Sequence, residues 1–88
     1  MRVIFDRRFA KDLKNISDQH AKDKITEAIE SVEKAGRLSD IPNLKKMQGA
    51  KNAYRISVKN FRIGFFYQNQ EIEFVRCLDR KDIYKKFP

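Results

Sequence analysis

Alternation of apolar and polar residues from Tyr54 to Tyr67, with Phe66 as its exception, constrains this chain more than any other stretch. In Ala53-Tyr-Arg-Ile-Ser-Val58, Tyr54, Ile56 and Val58 share one face of a strand, and Arg55, Ser57 and Lys59 share the other. The run from Phe61 to Tyr67 repeats the pattern, setting Phe61, Ile63, Phe65 and Tyr67 against Arg62, Gly64 and Phe66. Two such runs separated by Lys59-Asn60 predict a β-hairpin with Val58 opposite Phe61, Ser57 opposite Arg62, Ile56 opposite Ile63 and Arg55 opposite Gly64. Lys-Asn lacks the favoured glycine, so a longer or bulged turn stays open. The sheet has two characters: one face is aliphatic and aromatic, while the other gathers Arg55, Ser57 and Arg62 around Gly64, which carries no side chain to fill the space above it.

A third strand is expected from about Glu71 to Leu78, after an Asn69-Gln70 turn that puts Ile72 and Phe74 on the face of Phe65 and Tyr67. Uninterrupted alternation turns Arg76 into the core; a bulge near Val75 turns it to the polar face, and the sequence leaves both registers open. Upstream, Arg2 to Phe5 reads as a short strand and Asp6 as the cap of a helix carrying Phe9, Leu13 and Ile16 inward, with Lys11, Asp12 and Lys14 outward. A second helix is marked by the stripe Ala21, Ile25, Ala28, Ile29, Val32 and Ala35, with Asp18 as its cap and Gly36 as its stop. From Arg37 to Asn52 the periodicity fails, which predicts a long, partly docked loop carrying Lys45, Lys46 and Lys51. The expected fold is α+β, in the order β-α-α-β-β-β. Its sheet is mainly antiparallel, a helical hairpin packs on one face, and the other face is open and basic.

Eighty-eight residues, 41% of them apolar, suit a single domain spanning residues 1–88. Lysine and arginine total 20 against 12 acids, a net charge of +8 that calls for a polyanionic or acidic partner. Cys77 is the only cysteine, which excludes an internal disulfide, and His20 is the only histidine; together these argue against a His/Cys metal centre and a histidine-based triad. Cys77 reads as a small buried apolar residue and His20 as a surface one. No apolar run has the length of a membrane span and the start does not resemble a secretory signal, so a soluble, cytoplasmic protein is expected.

Arg55, Arg62, Arg76 and Arg80, with Lys45, Lys46, Lys51, Lys81, Lys85 and Lys86 around them and Tyr84 close to Arg80, form a set suited to a phosphodiester backbone. The guanidinium fork matches phosphate oxygens, and a tyrosine stacks on a base or bonds a phosphate. The loop and tail lysines equally suit a solvated surface. Cleavage of RNA by its own 2′-hydroxyl needs that oxygen deprotonated, the phosphorane's charge stabilised and the 5′-oxygen protonated. Arginine serves the second need but is a poor base, since its pKa exceeds about 12. Proton transfer then falls to the phenol of Tyr84 or to Asp79. Without a proper acid-base pair, much of the rate must come from holding the 2′-hydroxyl in line, which implies a substrate positioned by something larger than this protein.

The element order, the central motif Y-R-I-S-V-K-N-F-R-I-G-F and the closing L-D-R-K-D-I-Y-K-K-F-P resemble the RelE/ParE superfamily of toxins from type II toxin–antitoxin modules, in its RelE-like branch. The resemblance covers essentially the whole chain. It implies a ribosome-dependent endoribonuclease that cuts mRNA in the A site without metal or other cofactor, and whose partners are the ribosome, mRNA and a cognate antitoxin with an acidic amphipathic segment. Carried over by position, the catalytic set is Arg62, Arg80 and Tyr84, with Asp79 beside them. Arg55, Ser57, Lys45, Lys46, Lys51, Arg76 and Lys85 then hold substrate. This sequence departs from relatives at Ser57, where some carry a lysine, and at Asp79, where many carry histidine; Asp79 either accepts a proton or neutralises Arg80 or Arg62. The rival implications are a ParE-like inhibitor of DNA gyrase and a non-catalytic member that binds RNA or antitoxin only.

Overall fold

The computed structural model describes residues Met1–Pro88. Chain order is β1 (Arg2–Phe5), α1 (Arg7–Lys14), α2 (Gln19–Lys34), a single 3-10 turn at Leu38–Asp40, β2 (Leu44–Lys46), β3 (Ala53–Val58), β4 (Phe61–Gln68), β5 (Glu71–Asp79) and α3 (Ile83–Lys86). The five strands form one sheet in the order β1-β5-β4-β3-β2. β1 runs parallel to β5 and every other neighbouring pair is antiparallel. Helices α1 and α2 each start on an aspartate: the Asp6 carboxylate accepts from the Arg8 backbone N–H, and that of Asp18 accepts from His20 and Ala21. No helix is long and apolar enough to cross a membrane.

The hairpin takes the register that alternation requires, with Arg55 opposite Gly64 and Val58 opposite Phe61. Its two-residue turn does without glycine because Lys59 itself adopts a positive φ of 53°. At the next turn both Asn69 and Gln70 have positive φ, as the twist of a tight hairpin demands. The inward residues of the hairpin, Ile56, Val58, Ile63 and Phe65, join Ile72 and Phe74 of β5 and Phe9, Ala21, Ile25 and Val32 of the helices in the main core. Phe74 stacks on Phe9 at 5.3 Å and meets Phe65 edge-on at 5.9 Å, which ties α1 to the centre of the sheet.

The register of β5 is settled by a bulge. Phe65 pairs with Phe74 and Gly64 with Arg76, so Val75 is the additional residue. Arg76 therefore stands on the Gly64 side of the sheet, as the bulged register required. Its guanidinium is nevertheless withdrawn from that surface: Nε donates to Asp12 Oδ2 at 2.8 Å and Nη2 to Oδ1 at 3.0 Å. Asp12, expected outward, is buried. The reason is the sheet edge. β1 pairs with β5 only from Glu71 to Phe74, and past that point α1 replaces it alongside, so the Cys77 backbone N–H finds its acceptor in Asp12 Oδ2 at 2.9 Å.

Two other expectations change. The segment from Arg37 to Asn52 is not wholly loop, since β2 inside it forms the sheet edge against β3, with Lys45 opposite Arg55. Nor does the second face stay open. Met47, Ala53, Val75, Ile83 and Phe87 build a smaller apolar cluster there, with Ala50, Phe66 and Leu78 packed against it. Burying Ile83 and Phe87 contributes on the order of 2 kcal/mol each. That is enough to dock the one-turn helix α3, which a four-residue segment would not form alone.

Candidate functional site

On the second face the pairings generate two cross-strand rows. One runs Lys45, Arg55, Gly64, Arg76; the next runs Ser57, Arg62, Leu78. The space above Gly64 is filled by the ring of Phe87, three of whose carbons would lie 2.6 to 2.9 Å from a Cβ at that position. Phe87 thus divides the first row, leaving Lys45 and Arg55 on one side and Arg76, taken by Asp12, on the other.

The cationic side of Phe87 is a groove of about 360 Å³ lined by Lys45, Lys46, Gln48, Arg55, Tyr84 and Pro88, with Met47 and Phe87 beneath. Arg55 is half-buried; its Nη1 donates to Ser57 Oγ at 3.0 Å, and its guanidinium carbon lies 5.6 Å from the centre of the Tyr84 ring. Ser57 is therefore the group that orients Arg55. Tyr84 is 63% exposed and lies across this cation, which presents a π face and a hydroxyl beside a fixed positive charge.

The remaining expected site residues are distributed differently. Arg62 shares the face with Ser57, but its Nη1 donates to the carbonyls of Lys59 and Phe61, both at 2.9 Å, and so braces the β3–β4 turn. Lys46 donates from Nζ to the carbonyls of Ala50 at 2.7 Å and Met47 at 3.3 Å and lies over the Tyr54 ring, which ties up its ammonium in holding the loop. Lys51, Arg80 and Lys85 are exposed. Asp79 is not brought to the groove of Tyr84: it lines a separate cleft with Arg8, Lys11 and Asp12, and its Oδ1 accepts from the Lys81 backbone N–H at 2.9 Å. Arg76 and Asp12 line that second cleft as well, apart from the groove of Arg55 and Tyr84. No three His, Cys, Asp or Glu side chains are grouped to hold a metal ion.

Phe87 is the member of this region that the strand pattern did not reveal. Its signal was present in Ile83 and Phe87 at i and i+4, the spacing of one buried side of a helical turn, with Tyr84, Lys85 and Lys86 between them.

The site is thus a basic groove edged by Tyr84 on a small mixed sheet backed by two helices. The model for the ParE toxin of the type II toxin–antitoxin system parDE matches residues 3–84, and the chain belongs to that family. It is 40% identical over 89 residues to Toxin RelE3 of Methanocaldococcus jannaschii, across the full length of both proteins. Among solved structures, the RelB-RelE antitoxin-toxin complex from Methanococcus jannaschii matches with a TM-score of 0.80 and 38% identity, covering 97% of this chain and 99% of the other. YafQ from E. coli shares the fold at a TM-score of 0.75 and 15% identity, over 96% and 99% of the two chains. The chain is a RelE-like toxin of the type II toxin–antitoxin class, as its strand and tail motifs implied.

Proposed function

We propose that this toxin is a ribosome-dependent endoribonuclease that cleaves mRNA, acting in the cytoplasm as one self-contained domain. The observation that carries the reading is the Arg55–Tyr84 pair, a fixed cation beneath an exposed phenol at the mouth of a groove flanked by Lys45. In the reaction, the 2′-oxygen bonds to phosphorus as its proton leaves to a water or a phosphoryl oxygen. The bond to the 5′-oxygen breaks and that oxygen takes up a proton, giving a 2′,3′-cyclic phosphate and a 5′-hydroxyl end. Arg55 and Lys45 hold the phosphate and offset the charge gained by its oxygens. Tyr84 stacks on the neighbouring base or supplies the proton to the leaving oxygen. Arg62 reaches the phosphate only by releasing the carbonyls of Lys59 and Phe61, while Arg80 is exposed outside the groove, which fits a substrate positioned by the ribosome rather than by this small domain alone.

The partner in the cell is a cognate antitoxin. The net charge of +8 suits an acidic amphipathic segment, and the RelE of Methanococcus jannaschii was solved together with RelB.

The deciding experiment adds purified protein to translating ribosomes on a defined mRNA and maps new ends by primer extension, with Arg55→Ala and Tyr84→Phe alongside. Cuts in the A site that fade in both variants establish the reading. Because the family model that matches is that of ParE, a supercoiling assay with DNA gyrase runs in parallel. Intact mRNA with inhibited supercoiling would transfer the function to gyrase.

A further inference from the structure

The region least explained by RNA chemistry is the apolar tail, and its geometry is the most exacting on this face. α3 spans only Ile83–Lys86, and the Asp82 before it makes no side-chain capping bond. Its shape is held from below: Ile83 and Phe87 are almost wholly inaccessible, the Phe87 N–H donates to the Ile83 carbonyl at 2.9 Å, and the Phe87 ring lies 5.1 Å from that of Phe66. Tyr84 follows directly after the first of these anchors and is exposed over Arg55.

The seat of the second anchor is Gly64. A Cβ there would come within 2.6 Å of Phe87 Cδ2, 2.8 Å of Cγ and 2.9 Å of Cε2, distances at which the ring has to move. The Gly64 backbone has no left-handed φ, so an L side chain suits its conformation, and close approach is what requires the glycine. A methyl at this one position is therefore a wedge under Phe87, while the strand, its register and the main core on the opposite face are untouched.

We infer that Phe87 is a positioning residue for Tyr84: its ring, seated on the bare backbone of Gly64, fixes α3 and thereby holds the phenol over Arg55. The inference rests on the cleavage reading for its consequence, but the placement of Tyr84 is measurable without any RNA. Phe87 touches no substrate atom; it acts through the helix that carries Tyr84.

The test is Gly64→Ala, followed in two ways. In the free protein, nuclear Overhauser contacts between the Tyr84 ring and the Arg55 side chain are expected to disappear while amide signals of β3 and β4 persist. In ribosome-bound mRNA cleavage, kcat is expected to fall about tenfold or more, with KM within about threefold, because misplacement of a reacting group acts on the chemical step. Adding Phe87→Leu to Gly64→Ala shortens the wedged side chain and should restore part of both signals. Unchanged Tyr84–Arg55 contacts in folded Gly64→Ala protein would overturn the inference, as would unchanged kcat. If Gly64→Ala does not fold, Phe87→Leu alone carries the same two measurements. If the wild-type protein leaves mRNA intact, the cleavage reading falls, and the Overhauser contacts still decide whether Phe87 places Tyr84.

Discussion

Asp12 and Arg76, 64 residues apart, form a two-pronged ion pair at the point where α1 takes over from β1 along the edge of β5. The side chains are only 9% and 17% exposed, and the hydrogen bonding that Arg76 donates to Asp12 holds the guanidinium above its ordinary pKa. The same carboxylate accepts the Cys77 backbone N–H. One residue thus satisfies a cation and an orphaned strand donor together, and it joins the first helix to the last strand.

Removing that carboxylate strands two donors in a protected place. Asp12→Ala is expected to cost about 3 kcal/mol of stability, by urea or thermal unfolding, because an unpaired buried charge is more costly than the pair is favourable. Arg76→Ala should cost less, since Asp12 keeps the bond from Cys77. A loss in Arg76→Ala equal to or larger than that in Asp12→Ala would overturn this ranking.

Burial pushes the Cys77 thiol up to about 12, with the Asp12 carboxylate adding to the effect. In folded protein at pH 8 the thiol should resist iodoacetamide over hours and react within minutes once denatured, which mass spectrometry reads directly. Asp12→Ala opens this site, so Cys77 labelling there should accelerate with unfolding.

The hydrogen bond from the Arg8 side chain, then that from its backbone N–H, hold the Asp6 carboxyl below its ordinary value of 3.8. A carboxyl with a depressed folded-state pKa contributes stability that is present above its unfolded value and is lost as pH falls through the folded one. Asp6→Asn keeps a capping oxygen but removes the charge. Wild type should therefore exceed Asp6→Asn in thermal midpoint at neutral pH, with the gap narrowing as pH drops below about 4.

Site variants should separate by groove. Arg55→Ala and Tyr84→Phe are expected to reduce mRNA cleavage by roughly 10²-fold, the usual scale for a charge stabiliser or proton donor. Asp79→Asn should stay within about threefold, because this residue lies in the other cleft and caps the turn at Lys81. Ser57→Ala should fall between them by releasing Arg55 from its hydrogen bond. A collapse of activity in Asp79→Asn, with folding intact, would restore it as the proton acceptor.

Local pattern alone determined much of this molecule. Alternation across Tyr54–Tyr67 set the register of the hairpin, and the aspartates at 6 and 18 marked the helix starts, because side-chain period and cap chemistry act over a few residues. The tail and hairpin motifs together identified the family. Only the tertiary structure decided which cations are available. A bulge in β5 turns Arg76 to the Gly64 face, where an aspartate 64 residues away takes it, Lys46 is occupied by loop carbonyls, and Phe87 fills the place above Gly64. A side chain's partner depends on which distant segment lies alongside it. Neither the ending of β1 at Phe5 nor the folding back of the last turn over the sheet is written in the residues of the hairpin itself.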